Sequence, residues 1–158
     1  MVACATKWRD TMAAFTRDLN IVARCTQMYR TQRLKPIGLC GGQAAYLLRL
    51  SREPGLTQEE LARALYVNKS TAARQIVSLE RAGFVERRPS ESDRRCLEIY
   101  PTQKALDAMP LIRQTVDEWS DLLLEGLTDG ERAALQSAMA RVSERAQAYI
   151  RQEVGWNE

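Results

Sequence analysis

The fold is decided by the stretch Leu56-Thr57-Gln58-Glu59-Glu60-Leu61-Ala62-Arg63-Ala64-Leu65-Tyr66-Val67-Asn68-Lys69-Ser70-Thr71-Ala72-Ala73-Arg74-Gln75-Ile76-Val77-Ser78-Leu79-Glu80-Arg81-Ala82-Gly83. Thr57 with Glu60 three residues on is a capping box: the hydroxyl accepts the Glu60 backbone N–H, and the carboxylate bonds back. It opens a short helix over 57–65, with Leu61 and Leu65 on one face. Tyr66-Val67-Asn68 interrupts that helix, and Asn68 is a strong N-cap for a second one over 69–82. There Ala72, Ile76 and Leu79 make a buried face with Val77 beside it. Ser70, Arg74 and Ser78, flanked by Thr71 and Gln75, make a polar one. Gly83 ends the helix.

Downstream the period changes from helical to alternating. Residues 84–88 and 96–100 read as two short strands, with Leu97 and Ile99 expected on the inner face. Between them Pro89-Ser90-Glu91-Ser92-Asp93-Arg94-Arg95 is a polar hairpin loop. Helix, turn, helix and a basic-tipped hairpin make a winged helix-turn-helix, whose second helix fits a major groove about 12 Å wide. The readings for DNA contact are Asn68, Lys69, Ser70, Thr71, Arg74, Gln75 and Ser78 on the helix, and Arg87, Arg88, Asp93, Arg94 and Arg95 on the wing. Arginine there neutralises phosphate or enters the minor groove, and Asp93 orients its neighbours. A solvated helix face and a purely structural Asp93–arginine pair are the competing readings.

Upstream, residues 7–32 read as one long helix with two apolar stripes, Met12/Phe15/Leu19/Val22 and Ile21/Cys25/Met28. A band that wide has two surfaces to cover. Pro36, Gly38, Gly41 and Gly42 break the chain before a helix over 43–52, and Pro54-Gly55 turns it again. Thr102 caps a long helix expected to reach Gly126, with a kink at Pro110 or a break at Met109. Thr128 and Glu131 form a second capping box, opening a helix to about Val154. Leu111, Ile112, Trp119, Leu122, Leu123, Leu135, Met139, Val142, Tyr149 and Ile150 on these helices need more cover than one small lobe provides.

The chain of 158 residues carries a net charge of +3, unevenly spread. Residues 1–55 hold nine basic and three acidic side chains, 56–105 nine and seven, and 106–158 five and ten. Of the 23 basic residues, 19 are arginine, whose planar fork suits phosphate and guanine; genomic GC content is the alternative cause of that bias. With no histidine, Ser-His-Asp and Cys-His catalysis have no base. The four cysteines lack zinc-ligand spacing, so no metal or cofactor is expected. No apolar run approaches the roughly 20 residues of a membrane span, and the N-terminal apolar stretch is too short for a secretory signal. A cytoplasmic protein with reduced thiols is the expectation.

Leu56–Ala62, Asn68–Arg74, Leu79–Arg87 and above all Asp93-Arg94-Arg95 before Leu97-Glu98-Ile99-Tyr100-Pro101-Thr102 resemble the multiple-antibiotic-resistance regulator (MarR) family of bacterial transcription factors. The family's wing pattern is Asp-x-Arg, then an alternating strand ending Leu-Thr and a glycine. Here Pro101 stands for the leucine and Ala105 near the glycine. The motif match covers about 36–105.

The resemblance implies a mainly α fold with a small β wing. Its DNA-binding lobe is 36–105, and a helical homodimerisation region is built from 1–35 and 106–158. It implies a regulator, expected to be a repressor and not an enzyme, on a pseudo-palindromic double-stranded operator. It further implies relief by a small aromatic or anionic effector bound between the two regions, where Met12, Phe15, Met28 and Tyr46 fit either a cleft lining or ordinary packing. Some members sense peroxide through a cysteine near the start of the first helix, but Cys4 and Cys25 do not match that place. Cys25 reads as a small core residue; Cys4 and Cys96 read as accessible, and Cys40 lies in the breaker segment. A winged-helix protein-interaction module is the rival class, against which the arginines and the Ser70/Thr71/Arg74/Gln75 face speak.

Overall fold

A computed structural model of the chain describes the backbone of residues 2–91, 93 and 95–153, and the side chains of that set from Ala14 onward. The side chains of Cys4 and Met12, and Arg94 as a whole, lie outside the described residues. The element order is α1 (Val2–Leu34), a 3-10 turn (Lys35–Ile37), α2 (Gln43–Arg52), β1 (Leu56–Thr57), α3 (Gln58–Ala64), α4 (Lys69–Arg81), β2 (Val85–Pro89), β3 (Leu97–Pro101), α5 (Gln103–Leu123) and α6 (Asp129–Glu153). The protein is mainly α with a small antiparallel sheet in the order β1-β3-β2.

One core joins these elements. Leu34 and Leu39 meet Ala44, Tyr46, Leu47 and Leu50 of α2, Leu61 of α3, Ala72, Ile76 and Leu79 of α4, Phe84, Ile99 of β3, and Met109 and Ile112 of α5. Local chemistry fixes the junctions. Gly41 passes so close to α1 that a Cβ there would stand 2.5 Å from the Gln27 carbonyl oxygen. Both capping boxes form, at Thr57/Glu60 and at Thr128/Glu131. Asn68 Oδ1 accepts the Thr71 N–H at 2.7 Å, as an N-cap should. Behind α4, Lys104 Nζ donates to the Ala82 carbonyl at 2.7 Å and Thr102 Oγ1 to that of Gly83 at 2.7 Å. The first turn of α5 thus satisfies carbonyls that the end of α4 leaves open.

Alongside, α5 packs on α1. Tyr29 stacks on Trp119 at 4.7 Å between centroids, Trp119 Nε1 donates to Thr26 Oγ1 at 2.8 Å, and Arg33 pairs with Glu118 at 2.6 Å.

Two expectations are corrected, and one of the two alternatives for the long helix is excluded. Leu97 does not face inward: it is 46% exposed while Ile99 is 1% exposed. Leu97 pairs with Pro89 at the far end of the hairpin, beyond the lobe. Cys25 is exposed rather than core, because no described residue covers that stripe of α1. The long helix is not broken at Met109 but runs through Pro110 to Leu123. Proline removes only the N–H that would meet the Leu106 carbonyl, and both residues are exposed, so water can take that carbonyl. Finally, β1 was not expected as a strand; its two residues pair with Glu98 and Ile99.

Candidate nucleic-acid interface

The residues read for DNA contact cluster on α4 and on the β2–β3 hairpin. At the start of α4, Asn68 Oδ1 also accepts the Ser70 hydroxyl at 3.0 Å. Lys69 pairs with Glu59 of α3 at 2.8 Å, and that contact holds the Glu59 carboxyl below its ordinary range. The two helices of the motif are therefore tied at their N-termini. Arg74 is exposed, with only a long 3.4 Å bond to Thr71 Oγ1. Thr71 and Gln75 are half-buried along one flank. Ser78, on the same flank, accepts from Gln43 Nε2 of α2 at 3.0 Å.

The hairpin divides into an anchored base and a free tip. At the base, Arg87 reaches Glu80 of α4 at 3.5 Å. Arg88 pairs with Glu86 and lies 4.6 Å over the Tyr100 ring. Tyr100 donates to Glu98 at 2.7 Å, which raises its own pKa. The Glu98 carboxyl is lowered first by a hydrogen bond from Ser90 and then by that of Tyr100. At the tip, Asp93 Oδ1 accepts the Arg95 backbone N–H at 2.9 Å, and the Asp93 carbonyl accepts the Cys96 N–H at 2.9 Å. Asp93 thus fixes the chain at Arg95. The Arg95 side chain, exposed, forms no ion pair with a described residue. Ion pairs thus hold the base, whereas Arg95 at the tip has none with a described residue, a division that sequence alone did not reveal.

Cys25, Cys40 and Cys96 are free and exposed. The Asp93 charge, then burial, then the Cys96–Asp93 contact push the Cys96 thiol up, away from the reactive thiolate. Among the described residues no group of His, Cys, Asp and Glu could hold a metal ion.

Of the candidate effector residues, Met12 lies outside the described side chains and Phe15 is 39% exposed on α1. Tyr46 is 3% exposed within the core, whereas Met28 is 72% exposed on α1. Three buried polar atoms, Tyr46 OH, Arg30 Nε and Arg49 Nε, have no hydrogen-bond partner among the described residues. Burial raises the Tyr46 pKa and lowers that of Arg30. A separate cleft of about 410 Å³ lies between α2 and α5, lined by Leu48, Ser51, Arg52, Arg113, Val116 and Asp117.

Comparison with known proteins agrees with this geometry. A family model described as the MarR family matches residues 42–97. The chain is 32% identical over 126 residues to the uncharacterized HTH-type transcriptional regulator YybA of Bacillus subtilis, covering 80% of this chain and 84% of that one. The crystal structure of a MarR transcriptional regulator from Methanosarcina mazei superposes with a TM-score of 0.80 at 29% identity, over 85% of this chain and 96% of that one. A MarR family regulator from Listeria monocytogenes, solved in complex with a 26mer DNA, superposes with a TM-score of 0.78 at 27% identity, over 87% and 94% of the two chains.

Proposed function

The chain belongs to the MarR family of transcriptional regulators, and from that premise we propose that it binds a pseudo-palindromic double-stranded operator as a homodimer and represses transcription from it. As a regulator of this family it is not an enzyme. The observation that carries the proposal is the free, outward face of α4, with Ser70 and Arg74 opposite the buried Ala72, Ile76 and Leu79. Arg95 stands at the wing tip, its backbone N–H held by Asp93. The similar Listeria regulator, with its 26mer DNA, supports the same use of the lobe. In this reading 36–105 is the DNA-binding lobe, and 1–35 with 106–158 the dimerisation region. Exposed Ile21, Val22, Leu122, Leu123, Leu135, Met139, Val142 and Tyr149 support a second copy as their cover.

Two α4 helices related by a two-fold axis meet successive major grooves about 34–36 Å apart. Acidic 106–158 far from the duplex and basic residues near it orient the approach. Among the described residues no helix is long and apolar enough to cross a membrane; a regulator that binds the operator is placed by this reading in the cytoplasm.

The test is selection of a duplex from a random pool, followed by anisotropy titration against that duplex and a scrambled one at several salt concentrations. Tight, salt-dependent binding with a clear preference for the selected duplex is expected. Equal, weak binding to both would remove the proposal and favour a protein-interaction role for the lobe.

A second reading concerns relief of repression. The cleft between α2 and α5, with Arg52 and Arg113 in its lining beside Asp117, supports a small aromatic or anionic effector held where the lobe meets the long helices. Such a ligand acts by favouring a spacing of the α4 helices that the operator does not match. Calorimetry with benzoate-like carboxylates, read together with operator release, tests it; heat without release, or no heat at all, overturns it.

A further inference from the structure

The polar face of α4 is not its whole outward surface. At about 100° per residue, Ser70, Arg74 and Arg81 lie opposite the buried Ala72, Ile76 and Leu79. Thr71, Gln75 and Ser78 fill one flank. The other flank carries Lys69 and Glu80, both held in ion pairs, and beyond them, next to the outward arginines, Ala73 and Val77, one turn apart and both half-exposed. Neither Ala73 nor Val77 belongs to the hydrophobic core or to the partly buried residues packed against it. Together with Arg74, Ser78 and Arg81 they line an open recess of about 400 Å³ on the helix surface. Arg74 and Arg81, along one side of the apolar pair, form no ion pair with a described residue.

We propose that Val77, with Ala73 one turn before it, reads the 5-methyl group of thymine in the operator. This inference rests on α4 being the helix that enters the major groove. A single half-exposed valine is ordinary on any surface. An apolar pair at helical spacing, with two unpaired guanidiniums along one side of it, suits an occupant that offers anionic and apolar groups together. Duplex DNA meets that description: phosphates line the groove, and the thymine methyl is the apolar group that a base edge presents there. A protein partner would present carboxylates around an apolar side chain; it is the outcome to be told apart.

The test uses the full-length protein and a duplex selected by it from a random pool. Each thymine is replaced in turn by deoxyuridine, which deletes only the methyl. Wild type and Val77→Ala are titrated against every duplex, with Arg74→Ala as a control. Alanine is a better helix former than valine and residue 77 is outside the core, so the variant folds; its circular dichroism melt checks this. At about 0.8 kcal/mol per buried methyl-sized group, one thymine per half-site should cost wild type about four-fold in affinity on losing its methyl. For Val77→Ala the same replacement should cost little or nothing. Full retention of methyl sensitivity by Val77→Ala, or insensitivity of wild type to every uracil, overturns the inference. If Arg74→Ala leaves sequence preference untouched as well, it is α4 as the base-reading helix that fails. If Arg74→Ala shifts preference while position 77 does not affect methyl sensitivity, only the role of Val77 fails.

Discussion

Gln43, buried at the start of α2, donates from Nε2 to the Ser78 hydroxyl of α4 at 3.0 Å. Its Oε1 accepts the Cys40 backbone N–H at 2.9 Å, and the neighbouring Gly41 N–H donates to Thr31 Oγ1 of α1 at 2.9 Å. A short polar chain therefore runs from the long first helix, through the breaker segment, to the outward helix of the motif. The α4 helix is held in place by more than its apolar face.

Ser78→Ala should accordingly destabilise the protein, although serine at an exposed helix position is normally dispensable. The loss leaves a buried amide N–H unmatched, which costs about 1–3 kcal/mol. Urea denaturation measures it as a lowered midpoint at unchanged slope. The double variant Gln43→Leu/Ser78→Ala should lose less than the two single variants added together, because the unmatched group has gone. Strict additivity would show that the two side chains do not interact in solution.

The capping box on α3 gives a pH-dependent prediction. Thr57 donates to Glu60 from its backbone N–H and its hydroxyl, each at 2.8 Å, and both bonds lower the Glu60 pKa. A carboxylate depressed in the folded state contributes stability above its unfolded pKa and loses it as pH falls through the folded value. Thr57→Ala should cost about 1 kcal/mol near neutrality, and the gap to wild type should narrow in acid. Thermal melts from pH 7 to pH 3 check this. A gap that stays constant into acid would separate the cap from the Glu60 charge.

Much of this architecture was legible in the sequence, for local reasons. Helix α2 was readable to its ends because glycines precede it and Glu53-Pro54-Gly55 follows it. The N-caps Thr57, Asn68, Thr102 and Thr128 act within three residues, so spacing alone exposes them. Contacts between distant segments were not legible. The Gln43–Ser78 bond spans 35 residues, and the Arg87–Glu80 pair depends on how the hairpin leans on α4. Leu97 alternates correctly with Ile99 and still faces solvent, because alternation gives the face of a strand and not how far the lobe extends beneath it. Strand β1 escaped detection since two residues carry no period, and Thr57 already had a role as a cap. In the site, the basic tip was evident; the division between an anchored hairpin base and a free tip was not.

The exposed apolar face of α6 should prove to be a subunit contact. Leu135, Met139 and Val142 recur at i, i+4 and i+7, all exposed, and the helix buries no residue within its own chain. Met139→Glu places a charge in the middle of that stripe. Sedimentation should show a dimer for wild type and a monomer or aggregate for the variant, with operator affinity falling because two lobes are no longer linked. Removal of 128–158 should give insoluble or unfolded protein. A soluble, folded monomer after that deletion would contradict the dimer.

The wing provides the prediction with the least expected sign. Asp93 is acidic and stands beside the basic tip, so a model built on charge alone expects Asp93→Ala to tighten DNA binding. The geometry argues the reverse. Asp93 Oδ1 holds the Arg95 backbone N–H and its carbonyl holds the Cys96 N–H, so the turn that carries Arg95 is built on this residue. Without it the tip is loose, and ordering it on DNA costs conformational entropy that the wild type has already spent. Asp93→Ala should therefore bind the selected and the scrambled duplex more weakly. Arg95→Ala should weaken both duplexes and lower the salt slope by about 0.9 for each lost phosphate contact, hence by nearly 2 for a dimer with two wings. Asp93→Ala should leave that slope closer to wild type, since the charge is still present but poorly placed. An independent readout comes from Cys96, whose thiol Asp93 pushes up. In the variant the thiol should titrate lower and react faster with iodoacetamide, followed on the Cys96 peptide by mass spectrometry. Tighter DNA binding by Asp93→Ala, with that thiol change confirming that the local field had altered, would show the aspartate to be merely repulsive and would end the pre-organisation argument.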